Sequence, residues 1–230
     1  MTAFQAKGDT SDPAFTVAQN KIDTLPIGGG EKRVFDVVFS VAAMLSALPL
    51  FVFLPVLIYL VSPGPIFYSH SRIGFRGRKF PCLKFRTMVL NADSVLESHF
   101  EKFPEARKEF LETRKLKNDP RIIPIVGAFL RKTSLDELPQ FLNVFRGEMS
   151  VVGPRPVTQN ELYDYGDATS RYKSARPGIT GLWQVSGRSD LSFIKRVELD
   201  SWYVSNRTLL SDLGLIAKTI GVLLNRRGAY

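Results

Sequence analysis

Two adjacent carboxylates, Asp136 and Glu137, stand inside Ser134-Leu135-Asp136-Glu137-Leu138-Pro139-Gln140. Ser134 and Glu137 have the S-x-x-E spacing of a capping box, in which a hydroxyl and a carboxylate satisfy the free N–H groups that open a helix. Asp136 at the second helical position would also suit the positive end of the helix dipole. The same geometry suits chemistry. A carboxylate kept ionised at a helix start is a nucleophile, and a neighbouring carboxylate can hold a divalent cation or handle a proton. The spacing alone is compatible with capping, with chemistry, or with both.

Arginines on stiff loops accompany the pair. In Gly147-Glu148-Met149-Ser150-Val151-Val152-Gly153-Pro154-Arg155-Pro156, Arg155 lies between two prolines, which exclude a helix and preset an extended direction. Arg176-Pro177-Gly178-Ile179-Thr180-Gly181 and Gly187-Arg188 add two more glycine-bounded arginines. A planar guanidinium on such a loop can grip phosphate in bidentate fashion, or form salt bridges within a basic domain.

These groups need a frame, and composition bounds it. The chain has 230 residues, 31 Lys+Arg against 22 Asp+Glu, a net charge of +9 and 44% hydrophobic residues. That apolar fraction excludes a disordered or collagen-like chain. The single Cys82 excludes an internal disulfide and a cysteine-based zinc site, so a reducing compartment is the default. The basic balance predicts an anionic partner: nucleic acid, membrane phosphate or a phosphorylated substrate.

From Val37 to Val61 no residue carries a charge, a length that a helix needs to cross hydrocarbon. Lys32-Arg33 precede this run, and Arg72, Arg76, Arg78, Lys79, Lys84 and Arg86 follow it, with no Asp or Glu between Asp36 and Asp93. Positive flanks stay cytoplasmic, so both ends belong on one side. With Pro49 and Pro55 to bend it, the segment reads as a re-entrant membrane helix turning at Leu48-Pro49. The competing readings are a kinked, tilted single span and a buried helix of a soluble protein. Carbonyls freed at the bend need partners, Ser46 or neighbouring protein. Lys32, Arg33 and Asp36 read as interfacial anchors.

The expected organisation is a disordered cytoplasmic tail (1–30), a re-entrant membrane helix (31–61) and a cytoplasmic catalytic domain (62–230). The fold class is α+β, mainly helical. A stiff Ser62-Pro63-Gly64-Pro65 turn leads to a β-hairpin of Ile66–Ile73 and Lys79–Phe85 around Gly74…Gly77. A helical region follows from Asp93 to Lys117, broken at Phe103-Pro104, then a short amphipathic helix over Ile125–Lys132. Leu209, Leu213, Ile216, Ile220 and Leu223 recur at helical spacing, as a core stripe or as a face on the bilayer.

With these motifs in this order, the chain closely resembles the monotopic bacterial sugar transferases, or polyprenyl-phosphate phosphoglycosyl transferases. The match runs from Lys32-Arg33-Val34-Phe35-Asp36 and Lys84-Phe85-Arg86-Thr87-Met88 through the Asp136-Glu137, Pro154-Arg155-Pro156 and Arg176-Pro177-Gly178 segments. It continues over Gln184-Val185-Ser186-Gly187-Arg188 and Leu199-Asp200-Ser201-Trp202-Tyr203-Val204. Its start, its insert at 93–120 and its end look most like members that initiate exopolysaccharide synthesis with galactose-1-phosphate. One departure is Leu48-Pro49 where the family usually has Ser-Pro at the membrane bend.

The resemblance implies transfer of a sugar-1-phosphate from a UDP-sugar to undecaprenyl phosphate, with Mg²⁺ and release of UMP. Galactose is favoured and glucose is the alternative. It implies that Asp136 is the nucleophile, forming an aspartyl phospho-sugar intermediate, and a ligand of Mg²⁺, with Glu137 assisting. Arg155 and Arg188 match phosphate-binding positions, and Arg176 matches more weakly. Asp200 and Asp212 match acidic positions near the site, although Asp212 would equally cap the last helix. The implied location is the cytoplasmic face of the bacterial inner membrane, with the bilayer as partner and a homodimer or polysaccharide-assembly proteins as further candidates. Nucleic acid is not expected, because the positive residues cluster beside the apolar segment and no nucleic-acid-binding motif appears. A catalytically silent membrane scaffold is the remaining alternative from another class.

Overall fold

The computed structural model describes residues 25–113, 116–187 and 191–225. It is mainly helical, with two small two-stranded sheets. Helices α1 (Gly29–Ser46) and α2 (Leu48–Val61) meet at 60° with a break at Ala47. Pro49 lies in the first turn of α2, where the missing N–H would have no partner in any case. The Ser46 hydroxyl donates to the Ala42 carbonyl (2.6 Å), and the Ala47 N–H donates to Ala43 (3.0 Å). The bend thus falls one residue before Leu48-Pro49, and the Ser46 hydroxyl turns back to the Ala42 and Ala43 carbonyls of the preceding turn instead of reaching carbonyls freed at the break. No single described helix is long and apolar enough to cross a membrane; the bent pair passes that test of length and composition only when taken together.

The two helices meet the rest of the protein differently. In α2 only Leu54 and Ile58 are buried, packed on Phe85, Ile123, Val126 and Leu130. Val52, Phe53, Val56, Tyr59 and Leu60 are all more than half exposed, so α2 leaves large apolar side chains uncovered by the rest of the described protein. In α1 the buried residues are Lys32, Asp36 and Ser40, spaced along one face at intervals of four. Lys32 and Asp36 are therefore not interfacial anchors. The Lys32 ammonium lies 3.0 Å from Asp212 and 3.6 Å from Asp36, and Arg207 Nε also reaches Asp212 at 2.9 Å. Asp36 accepts from the Ser150 hydroxyl (2.9 Å) and the Val151 N–H (3.1 Å). Opposite charge and main-chain donors waiting in the domain draw these side chains inward. Arg33 donates to the carbonyls of Val144 (2.6 Å) and Phe145 (2.7 Å), satisfying the C-terminal end of α6 (Gln140–Arg146).

The expected hairpin is present: β1 (Phe67–Ile73) pairs antiparallel with β2 (Lys79–Phe85), Phe67 opposite Phe85. The expected helical insert is also present, as α3 (Ala92–Lys102) and α4 (Pro104–Thr113), broken at Phe103, with a core of Leu96, Phe100 and Ala106. Next come α5 (Val126–Thr133) and a single 3₁₀ turn, Leu135–Glu137. The parallel pair of β3 (Ser150–Val152) and β4 (Gly178–Thr180) was not anticipated. Three-residue strands carry too few positions for an alternating pattern. A Cβ on Gly178 would run into the Gly153 main chain, so this close crossing requires glycine.

Short helices α7 (Gln159–Tyr163), α8 (Thr169–Lys173) and α9 (Leu182–Val185) precede two long ones, α10 (Phe193–Asn206) and α11 (Leu209–Asn225). Thr208 opens α11: its hydroxyl accepts from the Ser211 N–H, and the Ser211 hydroxyl accepts from the Thr208 N–H. Asp212 therefore does not cap this helix. The central core joins Val144, Met149, Val151, Val152, Tyr203, Val204 and Leu215 across the sheet, α6, α10 and α11.

Candidate active site

A cavity of about 480 Å³ opens between the 3₁₀ turn, the Arg155 segment, α9, α10 and α11. Glu137, Arg155, Glu161, Tyr165 and Arg196 give it polar lining; Phe39, Leu138, Phe141, Ile216 and Ile220 give it apolar lining. Phe39 comes from α1 of the bent pair, so the apolar lining includes the segment read as the membrane anchor.

The turn carrying the carboxylates is not a capping box. Ser134 has φ 58°, in the left-handed region, and its side chain makes no cap bond; the Glu137 N–H instead donates to the Ser134 carbonyl at 3.1 Å. With the backbone turned that way, the hydroxyl cannot face the amides that follow. A capping box does form elsewhere, between Thr158 and Glu161 at the start of α7.

Released from capping, Glu137 takes a salt bridge from Lys84 at 2.5 Å, while the same ammonium lies 3.6 Å from Asp136. Asp136 is buried, and burial pushes its carboxyl up to about 6; Glu137 adds to the rise, and Lys84 and Arg131 oppose it. Lys84 and Arg131, not a helix end, therefore keep this carboxyl partly ionised. Burial pulls the Lys84 ammonium down, but Glu137 and Asp136 together hold it above its ordinary value. Lys84 remains a cation at neutral pH.

The other expected site residues divide. Arg155 is exposed in the cavity, with its guanidinium 5.7 Å from the centre of the Trp183 ring. Asp200 lies behind the lining: it is buried and accepts from the Tyr165 hydroxyl at 2.9 Å. Burial raises its carboxyl to about 7, with Tyr165 and the Arg155 main-chain N–H pulling the other way. Arg176 and Asp212 are not brought to the cavity. Arg176 Nε donates to the Gly147 carbonyl at 2.8 Å. Asp212 is fully buried among Lys32, Arg207 and the Tyr203 hydroxyl, which donates to it at 2.7 Å. Both belong to the junction between α1 and the domain. Arg188 lies outside the described residues.

Sequence reasoning passed over Lys84, Arg131, Trp183 and Arg196 as site residues. One signal for Lys84 was available. Phe80 and Cys82 are the inward residues of β2, and Lys84 continues their alternation, so a lysine sits on the inner face of a half-buried strand. Arg131 lies in the last turn of an amphipathic helix, where a basic residue is ordinary.

Among the described residues no group of three or more His, Cys, Asp or Glu side chains is placed to hold a metal. Two adjacent carboxylates remain, Asp136 and Glu137. That donor set fits Mg²⁺, which typically takes one or two protein carboxylates and completes its oxygen shell with substrate phosphates and water.

The chain matches the bacterial sugar transferase family over residues 29–226. It is 50% identical over 217 residues to exopolysaccharide production protein ExoY of Sinorhizobium fredii, covering 94% of this chain and 96% of that protein. It is 54% identical over 201 residues to a UDP-galactose-lipid carrier transferase of Erwinia amylovora, covering 86% of this chain and 41% of that longer protein. It is 51% identical over 201 residues to the undecaprenyl-phosphate galactose phosphotransferase of Salmonella typhimurium, covering 86% of this chain and 41% of that protein.

Proposed function

The chain belongs to the bacterial sugar transferase family, and we propose that it moves galactose-1-phosphate from UDP-galactose to undecaprenyl phosphate, releasing UMP, as the first step of exopolysaccharide assembly. The observation that carries this reading is the carboxylate pair bridged by Lys84 beside a cavity with both polar and apolar lining. A phosphorylated lipid and a nucleotide sugar need both kinds of surface. The relatives' names support the sugar donor and the lipid acceptor.

In the proposed reaction an Asp136 oxygen attacks the sugar-proximal phosphorus of the donor. The new P–O bond forms as the bond to the bridging oxygen breaks, and UMP leaves with that electron pair. An oxygen of undecaprenyl phosphate then attacks the same phosphorus, frees Asp136 and yields the lipid diphosphate sugar. Lys84 keeps the nucleophile ionised and offsets the negative charge gathered where two carboxylates meet a diphosphate. Glu137 holds Lys84 in place through its 2.5 Å contact. Arg155 binds phosphate, and Arg188 matches the family position for the same task. Mg²⁺ held by Asp136 and Glu137 would screen the diphosphate.

We further propose attachment to the cytoplasmic face of the membrane through the bent pair. The apolar face of α2 supports this, as do the 60° turn and the basic residues on both sides of it. The acceptor phosphate is then met at the interface without crossing.

The test is UMP release by the full chain in detergent with undecaprenyl phosphate and Mg²⁺, offering UDP-galactose and UDP-glucose separately. Lipid-dependent UMP from UDP-galactose, absent in Asp136→Asn, is expected. Release from UDP-glucose alone would replace the sugar and keep the reaction. No release from any UDP-sugar by folded protein would favour the scaffold.

A further inference from the structure

Ser134 joins α5 to the 3₁₀ turn that carries Asp136 and Glu137. Its φ of 58° lies in the left-handed region, where a helix most often ends on glycine because any Cβ crowds the following carbonyl oxygen. Both of its main-chain groups are engaged. The N–H donates to the Arg131 carbonyl at 3.2 Å, and the carbonyl accepts from the Glu137 N–H at 3.1 Å. Glycine would make the same two bonds in the same turn without the steric cost. The serine side chain must therefore be accounted for by something other than the backbone it sits on.

Ser134 is half-buried and lines the cavity beside Thr133, Leu135 and Glu137. Thr133, Tyr165, Thr180 and Thr219 line the same cavity, and the hydroxyl of each is engaged within the fold. Thr133 donates to the Phe129 carbonyl at 2.8 Å, and Tyr165 donates to Asp200 at 2.9 Å. Thr219 donates to the Leu215 carbonyl at 2.7 Å and so accepts from Thr180, also at 2.7 Å. The Ser134 hydroxyl, by contrast, makes no hydrogen bond with a described residue. Among the described hydroxyls of the cavity wall it alone keeps its proton uncommitted, and it stands two residues before Asp136.

Resting on the functional reading above, we propose that Ser134 is a substrate-binding residue whose hydroxyl donates a hydrogen bond to a non-bridging oxygen of the sugar-proximal phosphate. No covalent bond of the serine forms or breaks. Asp136 attacks that phosphorus, so the phosphate must come to the turn that Ser134 opens, and its oxygens need donors there. Lys84 is drawn first to Glu137, which leaves a short neutral donor to meet the phosphate oxygen without competing for the carboxylates. A backbone held in a costly conformation by flanking bonds is a common means of aiming one side chain. A hydroxyl bonded to an ionised phosphate is among the stronger neutral-donor contacts.

The experiment is calorimetric titration of the full chain in detergent with Mg²⁺ and UDP and, separately, UMP, neither of which needs lipid or turnover. UDP carries a phosphate in the sugar-proximal position and UMP does not. In both Ser134→Ala and Ser134→Gly, UDP should bind about 10–100-fold more weakly while UMP stays within about twofold of wild type. The backbone readout should separate the two variants: the thermal midpoint of Ser134→Gly should match or exceed wild type, because glycine accepts the left-handed turn, and that of Ser134→Ala should not rise. UDP affinity within about twofold of wild type in both variants would overturn the contact, as would wild-type protein that does not prefer UDP to UMP. Equal losses for UDP and UMP, or a loss in Ser134→Gly alone, would also overturn it, assigning Ser134 to the shape of the turn. Ser134-dependent UDP binding without lipid-dependent UMP release would leave the contact standing and remove the reaction. UMP release with Ser134-independent UDP binding would do the reverse.

Discussion

The Lys84 ammonium lies 2.5 Å from the Glu137 carboxylate and 3.6 Å from that of Asp136, so one cation serves two acids with unequal claims on it. The nearer acid fixes where the lysine points. The farther one, buried and pushed up to about 6, receives enough of its field to stay largely ionised at neutral pH. A nucleophilic carboxylate needs this balance, because an unpaired buried one is protonated.

The acid side of the pH profile follows. Attack requires ionised Asp136, so kcat/KM for the UDP-sugar should fall by half near pH 6 and about tenfold for each unit below that. Initial rates of UMP release between pH 5 and 8.5 measure it. A flat profile down to pH 5 would mean that Asp136 has an ordinary carboxyl value or is not the attacking group.

Removing the cation should move that limb. Lys84→Met leaves burial and Glu137 acting on Asp136 without their main counterweight. The acid limb should rise by about one unit or more, and the rate at pH 7 should drop about 10–100-fold. Glutamine or methionine in place of Glu137 frees Lys84 to close on Asp136 and should shift the limb downward. The two opposite displacements, measured side by side, distinguish an electrostatic role from general damage.

Stability gives an assay of the same carboxyl that is independent of turnover. Its folded value of about 6 lies above the ordinary 3.8, so ionisation opposes folding above pH 6, and the penalty fades as pH falls toward 4. Asp136→Asn should therefore be more stable than wild type at pH 8, by on the order of 1–3 kcal/mol, and should lose that gain near pH 4. Thermal unfolding at the two pH values reads the difference directly. An inactive variant that is also less stable at pH 8 would indicate a structural role for Asp136.

Much of this site was legible in the sequence because its parts are local. The carboxylate pair, the arginine between prolines, the hairpin around Gly74…Gly77 and the apolar run each lie within a few residues and show their period or stiffness directly. What escaped depends on contacts distant in sequence. Lys84 reaches Asp136 across 52 positions only because β2 packs on the 3₁₀ turn. The Ser134 spacing suggested a cap, but a left-handed residue, which spacing does not reveal, turned Glu137 toward Lys84. Lys32 and Asp36 read as interfacial because they adjoin an apolar run. The partner that draws Lys32 inward, Asp212, is 180 residues away.

That buried junction supplies the last prediction. Asp212 is fully buried and accepts from Lys32 (3.0 Å), Arg207 (2.9 Å) and Tyr203 (2.7 Å), none of which lines the cavity. Asp212→Asn would leave Arg207 against a neutral amide and Lys32 with only its longer 3.6 Å contact to Asp36, and breaking a buried pair in this way costs about 3–5 kcal/mol. Lys32→Met should be milder, because Arg207 still neutralises Asp212. Both variants should lower the thermal midpoint and the yield of folded protein, Asp212→Asn more than Lys32→Met. The fraction that folds at low temperature should keep its KM for the UDP-sugar within about twofold. Family resemblance alone would put Asp212 near the reacting groups and predict the opposite: normal stability with a raised KM. Measuring midpoint and KM on the same preparation decides between them, because Asp212 holds α1 to the domain and neither it nor its three partners lines the cavity.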